Sequence, residues 1–251
     1  VEQVYGIGCL SQRYGAELQE EIPEVDAFFG KFDWKGVLER MGEHFDERIR
    51  NQRVLTTPDH YAYLKISEGC NRTCSYCAIP IMTGKHKSRD FEELLEECRA
   101  LVKGGVKEIL VVAQDLTYYG IDLYGKNRLA ELIGRIADIE GLEWIKLHYA
   151  YPAGFPLELL TVMRERPNVC KYLDIALQHC SDHMLQQMRR GISKKQTIEL
   201  IRKIRQEVPG IFIRTTLMTG HPGETAEDFE ELCEFVRERR FERLGVFPYS
   251  H

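Results

Sequence analysis

The sequence lacks the features of a membrane or secreted protein. No apolar run reaches the length needed to span a bilayer, and no signal peptide opens the sequence. The formal net charge of −5 at pH 7 provides no overall attraction to nucleic acid or to an anionic membrane. We therefore expect a cytosolic protein with no membrane partner.

Several catalytic motifs are also missing. The sequence contains neither the G-x-S-x-G elbow of serine hydrolases nor the H-E-x-x-H helix of zinc proteases. The stretch Gly84–Arg89 resembles a phosphate-binding loop only in part, because no glycine lies five residues before Gly84 and no Ser or Thr follows Lys85. We interpret this stretch as a solvated basic loop, with a role in substrate positioning as the alternative.

Cysteine is the residue type that carries the strongest signal. Three of the eight cysteines, Cys70, Cys74 and Cys77, fall within eight residues and have the spacing C-x3-C-x2-C. Such clustering indicates a metal site rather than disulfides. Three thiolates on one short loop can each reach a different iron atom of a cubane cluster. Because no fourth cysteine lies nearby, one iron position would stay open, which is typical of a catalytic metal.

Thiolates also suit zinc, which leaves a second interpretation of the same loop. In that interpretation His86 would be the fourth ligand, and the chain would be a zinc-stabilised binding module without catalysis. Structural zinc sites generally combine two closely spaced ligand pairs, and only one such group occurs here. Iron and sulfide content, measured against zinc content, distinguishes the two.

Strand and helix patterns alternate along most of the chain. Strand-like runs occupy residues 62–67, 108–113, 144–148, 172–177, 211–218 and 244–249. Helical patterns occupy residues 91–103, 128–139, 156–166, 194–207 and 226–239. Alternation at these lengths predicts βαβ units and a parallel sheet. We therefore predict an α/β fold with an open, partial parallel barrel of six βα units, whose active site lies at the carboxyl ends of the strands.

The first part of the chain has a different pattern. Residues 1–50 are interpreted as the tail of a small, truncated α/β domain, with a helix that begins near Ser11 as its N-cap. Residues 51–60 are polar and are predicted to be a linker, and residues 61–251 form the main domain. Both ends of the sequence interrupt strand-like patterns, so we expect a fragment of a longer protein.

The cysteine loop, with the aromatic Tyr76 just before its last cysteine, resembles the radical S-adenosylmethionine (SAM) superfamily. The resemblance implies a 4Fe-4S cluster held by Cys70, Cys74 and Cys77, whose open iron binds the amino and carboxylate groups of SAM. Reductive cleavage of SAM would then yield a 5′-deoxyadenosyl radical. The resemblance also implies that Tyr76 packs on the adenine. The partial barrel typical of this superfamily agrees with the six predicted strands.

Within the superfamily, the chain is similar to the methylthiotransferases. The stretches Gln114–Gly120, Leu147–Pro152 and Phe247–His251 resemble the branch that modifies a protein. That resemblance implies transfer of a methylthio group to the β-carbon of an aspartate in small-subunit ribosomal protein S-twelve. It also implies a monomer that receives electrons from a donor such as flavodoxin or ferredoxin. The alternative is a tRNA adenosine methylthiotransferase of the same superfamily.

Three polar residues accompany the apolar strands. Gln114, Gln178 and Arg214 lie on or at the ends of strands, where a polar group needs a partner. They are candidate cofactor-binding residues, because the carboxylate and ribose hydroxyls of SAM could provide partners. The alternative is that they satisfy one another in the mouth of the barrel.

Cys9 belongs to a second cysteine motif. The stretch Gly8–Arg13 resembles the last cysteine motif of the methylthiotransferase N-terminal domain. The resemblance implies a second 4Fe-4S cluster, held by Cys9 and two upstream cysteines, that takes part in sulfur delivery. The alternative for Cys9 is a small buried hydrophobic residue. The remaining cysteines are interpreted as packing residues: Cys98, Cys170, Cys180 and Cys233. We expect that this fragment alone cannot complete methylthio transfer.

Overall fold

A small N-terminal unit precedes the main sheet. In the computed structural model, which describes residues 3–31, 33–44 and 53–250, this unit has two parallel strands and two helices. The elements are β1 (Tyr5–Gly8), α1 (Cys9–Glu21), β2 (Ala27–Gly30) and α2 (Trp34–Arg40). None of the described residues of this unit is buried.

A six-stranded parallel sheet forms the main domain. The strands that follow the N-terminal unit are β3 (Tyr61–Lys65), β4 (Ser67–Glu68), β5 (Lys87–Ser88), β6 (Glu108–Val112), β7 (Trp144–Ala150), β8 (Val169–Ile175), β9 (Phe212–Thr219) and β10 (Arg243–Pro248). The order across the sheet is β10-β9-β8-β7-β6-β3, and all neighbours are parallel. The two-residue strands β4 and β5 form a separate antiparallel pair.

Helices connect the strands, and the longer ones bury an apolar face that covers one side of the sheet. The helices are α3 (Ile79–Thr83), α4 (Phe91–Lys103), α5 (Ile121–Tyr124), α6 (Leu129–Ala137), α7 (Glu158–Glu165), α8 (Asp182–Gln187), α9 (Lys194–Glu207) and α10 (Ala226–Arg239). Side chains fix where the long helices begin. Asp90 caps α4, and capping boxes built on Ser193 and Thr225 start α9 and α10.

The hydrophobic core lies between the sheet and these helices. In β3, Ala62 and Leu64 are fully buried, whereas Tyr63 between them is about half exposed. This alternation follows from the two-residue period of a strand, which points successive side chains to opposite faces. The apolar face of α4 covers the buried side. The opposite face of the sheet is left as the concave inner wall of a partial barrel.

The predicted α/β partial parallel barrel is confirmed. The short helices α3, α5 and α8 were not predicted. The prediction that Ser11 caps the first helix is wrong, because α1 begins at Cys9, directly after Gly8, and has no side-chain cap. Of the predicted linker, residues 53–60 form neither helix nor strand, while residues 51 and 52 lie outside the described residues, as do residues 45–50 and His251. No helix in the described part of the chain is long and apolar enough to cross a membrane.

Candidate active site

The cysteine loop lies between β4 and α3, beyond the carboxyl end of β3. Gly69 begins it with a φ of +78°, and a Cβ at this position would collide with the backbone carbonyl of Lys85. The loop therefore requires glycine here. The amide of Cys70 donates a hydrogen bond to the carbonyl oxygen of Gly84, at 3.1 Å. This backbone hydrogen bond thus joins the start of the cysteine loop to the residue that follows α3.

The basic stretch Gly84–Arg89 supports the cysteine loop rather than being fully solvated. Lys85 and Lys87 are exposed, but His86 and Ser88 are buried. The Ser88 hydroxyl donates to a carboxylate oxygen of Asp122 at 2.6 Å, and the Nε2 atom of His86 lies 3.3 Å from the same hydroxyl. The interpretation of this stretch as a solvated loop is therefore wrong for His86 and Ser88.

The three thiols of the loop line one cavity of about 230 Å³. The ends of β6, β7 and β8 contribute Gln114, Tyr149, Ala150, Tyr151, Ala176 and Gln178 to its wall. The rest of the wall comes from the loop itself (Arg72 and Tyr76), from the start of α3 (Ile79) and from the segment after α8 (Arg190). The cavity therefore lies where the carboxyl ends of parallel strands meet, as expected for a barrel of this type.

The donor set fits an iron–sulfur cluster better than one metal ion. Cys70, Cys74 and Cys77 are all free and half-buried around the cavity. Within the described ranges, no three His, Cys, Asp or Glu side chains are grouped closely enough to hold a single ion. Ligands of a cubane belong to different iron atoms and lie further apart than ligands of one ion. The zinc interpretation with His86 therefore has no support in the geometry.

Burial around the cavity acts on the thiols themselves. It raises the pKa of Cys70 and of Cys77 above the ordinary value for a cysteine. Metal ligation requires the thiolate, so binding of iron must displace a proton from each thiol. A positive charge nearby would favour the thiolate form.

Arg190 provides that positive charge. Its side chain is buried, with 3% of the residue exposed. Its Nη1 atom lies 3.2 Å from the sulfur of Cys74 and donates to the hydroxyl of Tyr76 at 2.9 Å. The hydroxyl of Tyr151 lies 3.6 Å from the same sulfur and donates to the Arg190 carbonyl oxygen at 2.8 Å. A buried cation beside a thiolate lowers the electrostatic cost of an anionic cluster.

A second arginine anchors the loop from within. The Nε atom of Arg72 donates to Asp115 at 2.8 Å, and its Nη2 atom donates to the carbonyl oxygen of Ala153 at 3.1 Å. The guanidinium also lies 4.0 Å from the centre of the Tyr151 ring. Asp115 is buried and accepts a hydrogen bond from the amide of Thr117, at 2.9 Å. The Gln114–Gly120 stretch therefore fixes the position of the cysteine loop.

Three of the four predicted cofactor-binding residues, Tyr76, Gln114 and Gln178, line the cavity with the cysteines. Gln114 donates to Glu68 through its Nε2 atom, while its Oε1 atom is buried without a hydrogen-bond partner among the described residues. Gln178 has a φ of +70°, which is unusual for a residue other than glycine. An unpartnered acceptor on the cavity wall can accept a hydrogen bond from a ligand.

The other two predicted site residues lie elsewhere. Arg214 does not line the cavity, and its guanidinium pairs with Asp174 on the neighbouring strand. The alternative that Gln114, Gln178 and Arg214 satisfy one another does not describe their side-chain contacts. Cys9 is half-buried at the start of α1, which packs against α3 directly after the cysteine loop.

No sequence pattern predicted a role for Arg72, Tyr151 or Arg190. Tyr151 belongs to the Leu147–Pro152 stretch, but nothing in that stretch indicates contact with a cysteine. Arg190 lies 116 residues from Cys74, and only its position between another arginine and Gly191 is noticeable in the sequence.

Comparison with known proteins agrees with this geometry. The family model described as "Radical SAM superfamily" matches residues 64–236. The chain belongs to the radical SAM superfamily. Membership supports an iron–sulfur cluster and SAM as its cofactors.

Curated relatives point to one branch of this superfamily. The chain is 65% identical over 251 residues to "Ribosomal protein uS12 methylthiotransferase RimO" of Porphyromonas gingivalis, 64% identical over 250 residues to the protein of that name from Bacteroides fragilis, and 52% identical over 251 residues to that of Cytophaga hutchinsonii. Each match includes the whole chain but only 57–58% of the relative. The chain thus spans less than two thirds of these relatives. The predicted resemblance to methylthiotransferases is confirmed at the level of sequence.

Solved structures of lower identity share the fold. The radical SAM methyltransferase TsrM from Kitasatospora setae matches with a TM-score of 0.74 and 14% identity, over 98% of this chain and 56% of that one. HemN from Escherichia coli, a coproporphyrinogen III oxidase, matches with a TM-score of 0.55 and 20% identity, over 82% of this chain and 48% of that one. At these identities the likeness concerns the fold alone.

Proposed function

We propose that the protein containing this chain is a radical SAM methylthiotransferase that adds a methylthio group to the β-carbon of an aspartate in ribosomal protein uS12. The observation that carries the proposal is the three-thiol cavity, found in a chain that is 52–65% identical over its whole length to proteins named uS12 methylthiotransferases. In this proposal residues 61–251 are the radical SAM core, 51–60 a linker, and 1–50 the end of the N-terminal domain.

Cys70, Cys74 and Cys77 would hold the first 4Fe-4S cluster. When bound, that cluster supplies the electron that cleaves SAM to a 5′-deoxyadenosyl radical, which removes hydrogen from the substrate. The guanidinium of Arg190, 3.2 Å from the Cys74 sulfur, places a positive charge beside the thiolates that would hold the cluster. Arg72 and Gly69 hold the loop in the conformation that presents the three sulfurs to the cavity.

The remaining cavity residues would hold SAM. Tyr76 presents a flat ring to the cavity, suited to stacking on adenine, and its hydroxyl is held by Arg190. The buried Oε1 atom of Gln114 can accept a hydrogen bond from the ammonium group of SAM, and Gln178 from a ribose hydroxyl. All three residues are half-buried at the wall of the cavity.

Cys9 would take part in sulfur delivery. We assign it to a second 4Fe-4S cluster together with two cysteines upstream of this chain. Cys9 lies at the start of α1, which packs against α3, the helix that follows the cysteine loop. A flavodoxin or ferredoxin is the proposed electron donor, and a monomer the proposed state.

The test is anaerobic reconstitution of the full-length protein with iron and sulfide, followed by incubation with SAM, a reductant, and either uS12 or tRNA. Mass spectrometry is expected to find a methylthio group on an aspartate of uS12 and none on tRNA. Modified tRNA without modified uS12 would favour the tRNA methylthiotransferase. Zinc without iron or acid-labile sulfide would contradict any radical chemistry.

A further inference from the structure

The concave wall of the barrel carries a charged cluster that has no part in holding the cofactors. It consists of His148 on β7, Asp174 on β8 and Arg214 on β9, three neighbouring strands of the sheet. Each of these residues is adjacent in sequence to a buried residue of the hydrophobic core. Because successive side chains of a strand face opposite ways, the cluster points into the barrel and away from the helices.

Asp174 holds Arg214 in place. Only 3% of Asp174 is exposed, and its Oδ2 atom accepts a hydrogen bond from the Nη1 atom of Arg214. The arginine side chain is 40% exposed, so its guanidinium keeps N–H groups that Asp174 does not occupy. A guanidinium has five donors in a fixed plane, a geometry that suits a second carboxylate.

The surroundings favour an anionic ligand. The ammonium group of Lys146 lies 4.7 Å from the centre of the Tyr172 ring, and Arg243 lies beside Arg214 in the register of β10 and β9. Burial raises the pKa of the Tyr172 phenol, and the charges of Asp174, Arg214 and Arg243 also influence this pKa. The two arginines outnumber Asp174, the one carboxylate that acts with them on Tyr172, and a ligand with a carboxylate would balance the charge.

His148 adds an unsatisfied polar atom to the cluster. Its Nδ1 atom lies 3.9 Å from the Oδ2 atom of Asp174. Its Nε2 atom is buried and has no hydrogen-bond partner in the part of the chain that the structure describes. A buried polar group without a partner is costly, so a bound polar ligand here would be stabilised.

Tyr149 connects this cluster to the cavity of the cysteine loop. Its ring centre lies 6.2 Å from that of His148, and the residue also lines the cavity. Its φ of +67° is strained for an aromatic residue, and such strain is concentrated at functional sites. Asp174, which pairs with Arg214, lies two residues before Ala176 of the cavity wall, so a group bound at Arg214 would lie on the side of the barrel nearest the cavity.

We propose that Arg214, positioned by Asp174, binds the side-chain carboxylate of the substrate aspartate and so places its β-carbon at the cavity. The inference rests on the proposed function and adds the residue that selects the substrate. An ion pair serving only to fill the barrel would contribute little to stability and would not require exposed donors. Arg214 is thus assigned to the substrate rather than to SAM.

The test measures binding of two fluorescent peptides to the reconstituted full-length protein, by anisotropy under anaerobic conditions. One peptide carries the uS12 target aspartate, and the other carries asparagine in its place. The unaltered protein is expected to bind the aspartate peptide about tenfold more tightly. Arg214→Gln is expected to bind both equally, whereas Arg237→Gln, which alters an exposed arginine of α10, is expected to discriminate as the unaltered protein does.

Arg214→Lys keeps a cation beside Asp174 and so avoids leaving a buried carboxylate unpaired. It is expected to reduce the discrimination to less than about threefold, because an ammonium group lacks the planar fork. Full discrimination by Arg214→Gln, or by Arg214→Lys where the former does not fold, overturns the inference. If the unaltered protein modifies tRNA instead of uS12, the proposed function fails and this inference fails with it. Modification of uS12 combined with full discrimination by the variants leaves the proposed function intact.

Discussion

The N-terminal unit and the barrel are built in opposite ways. None of the described residues before residue 45 is buried, whereas the barrel buries many large side chains completely, among them Leu64, Ile133 and Ile145. A two-stranded sheet with no buried face is marginally stable at best, whereas six strands covered by helices can fold on their own core. Stability in this chain therefore resides in the barrel.

The same division applies to chemistry. The barrel alone brings three thiols, an arginine cation and the residues proposed for SAM to one cavity. The N-terminal unit contributes one half-buried cysteine, Cys9, and contacts the barrel through α1 on α3 and through the ion pair of Lys31 with Glu68, at 2.9 Å. In the proposed function the barrel generates the radical and Cys9 takes part in sulfur delivery, so separate substitutions are expected to affect the two steps independently.

The largest effect is expected from Cys74→Ser, which removes a proposed cluster ligand from the barrel. Serine removes the thiolate nearest Arg190, so the cluster should not assemble on the loop. We expect loss of the iron bound at this site and of SAM cleavage to 5′-deoxyadenosine, measured by absorption and by chromatography. Cys233→Ser, on α10 away from the cavity, is the matched control. SAM cleavage at an unchanged rate by Cys74→Ser would contradict the site assignment.

Cys9→Ser tests the proposed role of the N-terminal unit. If Cys9 helps to hold a second cluster, the full-length variant should fail to transfer a methylthio group while the barrel still cleaves SAM. The measurement is methylthioaspartate on uS12 together with 5′-deoxyadenosine from the same reaction. Cys170→Ser, half-buried in the barrel, controls for loss of an arbitrary thiol. Normal methylthio transfer by Cys9→Ser would return Cys9 to the role of a packing residue.

Arg190→Met tests the buried cation beside the loop. The change keeps much of the side-chain volume but removes the hydrogen bonds to the Cys74 sulfur and the Tyr76 hydroxyl. Loss of a buried charge-assisted hydrogen bond costs about 2 kcal/mol or more, so SAM cleavage should fall by at least about tenfold. Arg189→Met, at an exposed neighbouring position, should have no such effect. Equal rates for the two variants would remove Arg190 from the site.

The features of the fold and the site that depend on residues close in sequence could be predicted, whereas contacts between distant residues could not. The strands, the long helices and the cysteine loop are local patterns, and for that reason the sequence predicted them. Arg190 and Tyr151 approach Cys74 from 116 and 77 residues away, and such contacts leave no periodicity in the sequence. The polarity of Arg214 on an apolar strand predicted that it needs a partner, but not that Asp174 is the partner.

Asp228→Asn probes the stability of the barrel. Burial raises the pKa of Asp228, but hydrogen bonds from Ser181, His183 and Thr225 outweigh burial and hold the pKa well below its ordinary value. We expect the variant to lose about 1–3 kcal/mol of unfolding free energy near neutral pH, measured by urea denaturation.

The loss of unfolding free energy in Asp228→Asn is also expected to depend on pH. A carboxylate with a lowered pKa stabilises the folded state above its unfolded pKa, and this contribution is lost as the pH falls through the folded pKa. The difference between the unaltered protein and Asp228→Asn should therefore stay constant near neutrality and shrink below about pH 4. Glu227→Gln, one exposed position earlier, should show neither effect. A difference that grows on acidification would contradict this account.

Lys31→Met should have the smallest effect, although it removes a direct link between the two regions. The Lys31–Glu68 pair is partly exposed, and Glu68 keeps contacts with Lys65 and Gln114. An exposed ion pair contributes about 0–1 kcal/mol, so the unfolding free energy should change by no more than that in urea. Lys107→Met, which removes an exposed pair within the barrel, is the matched control. A loss of more than about 2 kcal/mol of unfolding free energy for Lys31→Met alone would mean that the two regions unfold together through this contact. Stability would then not reside in the barrel.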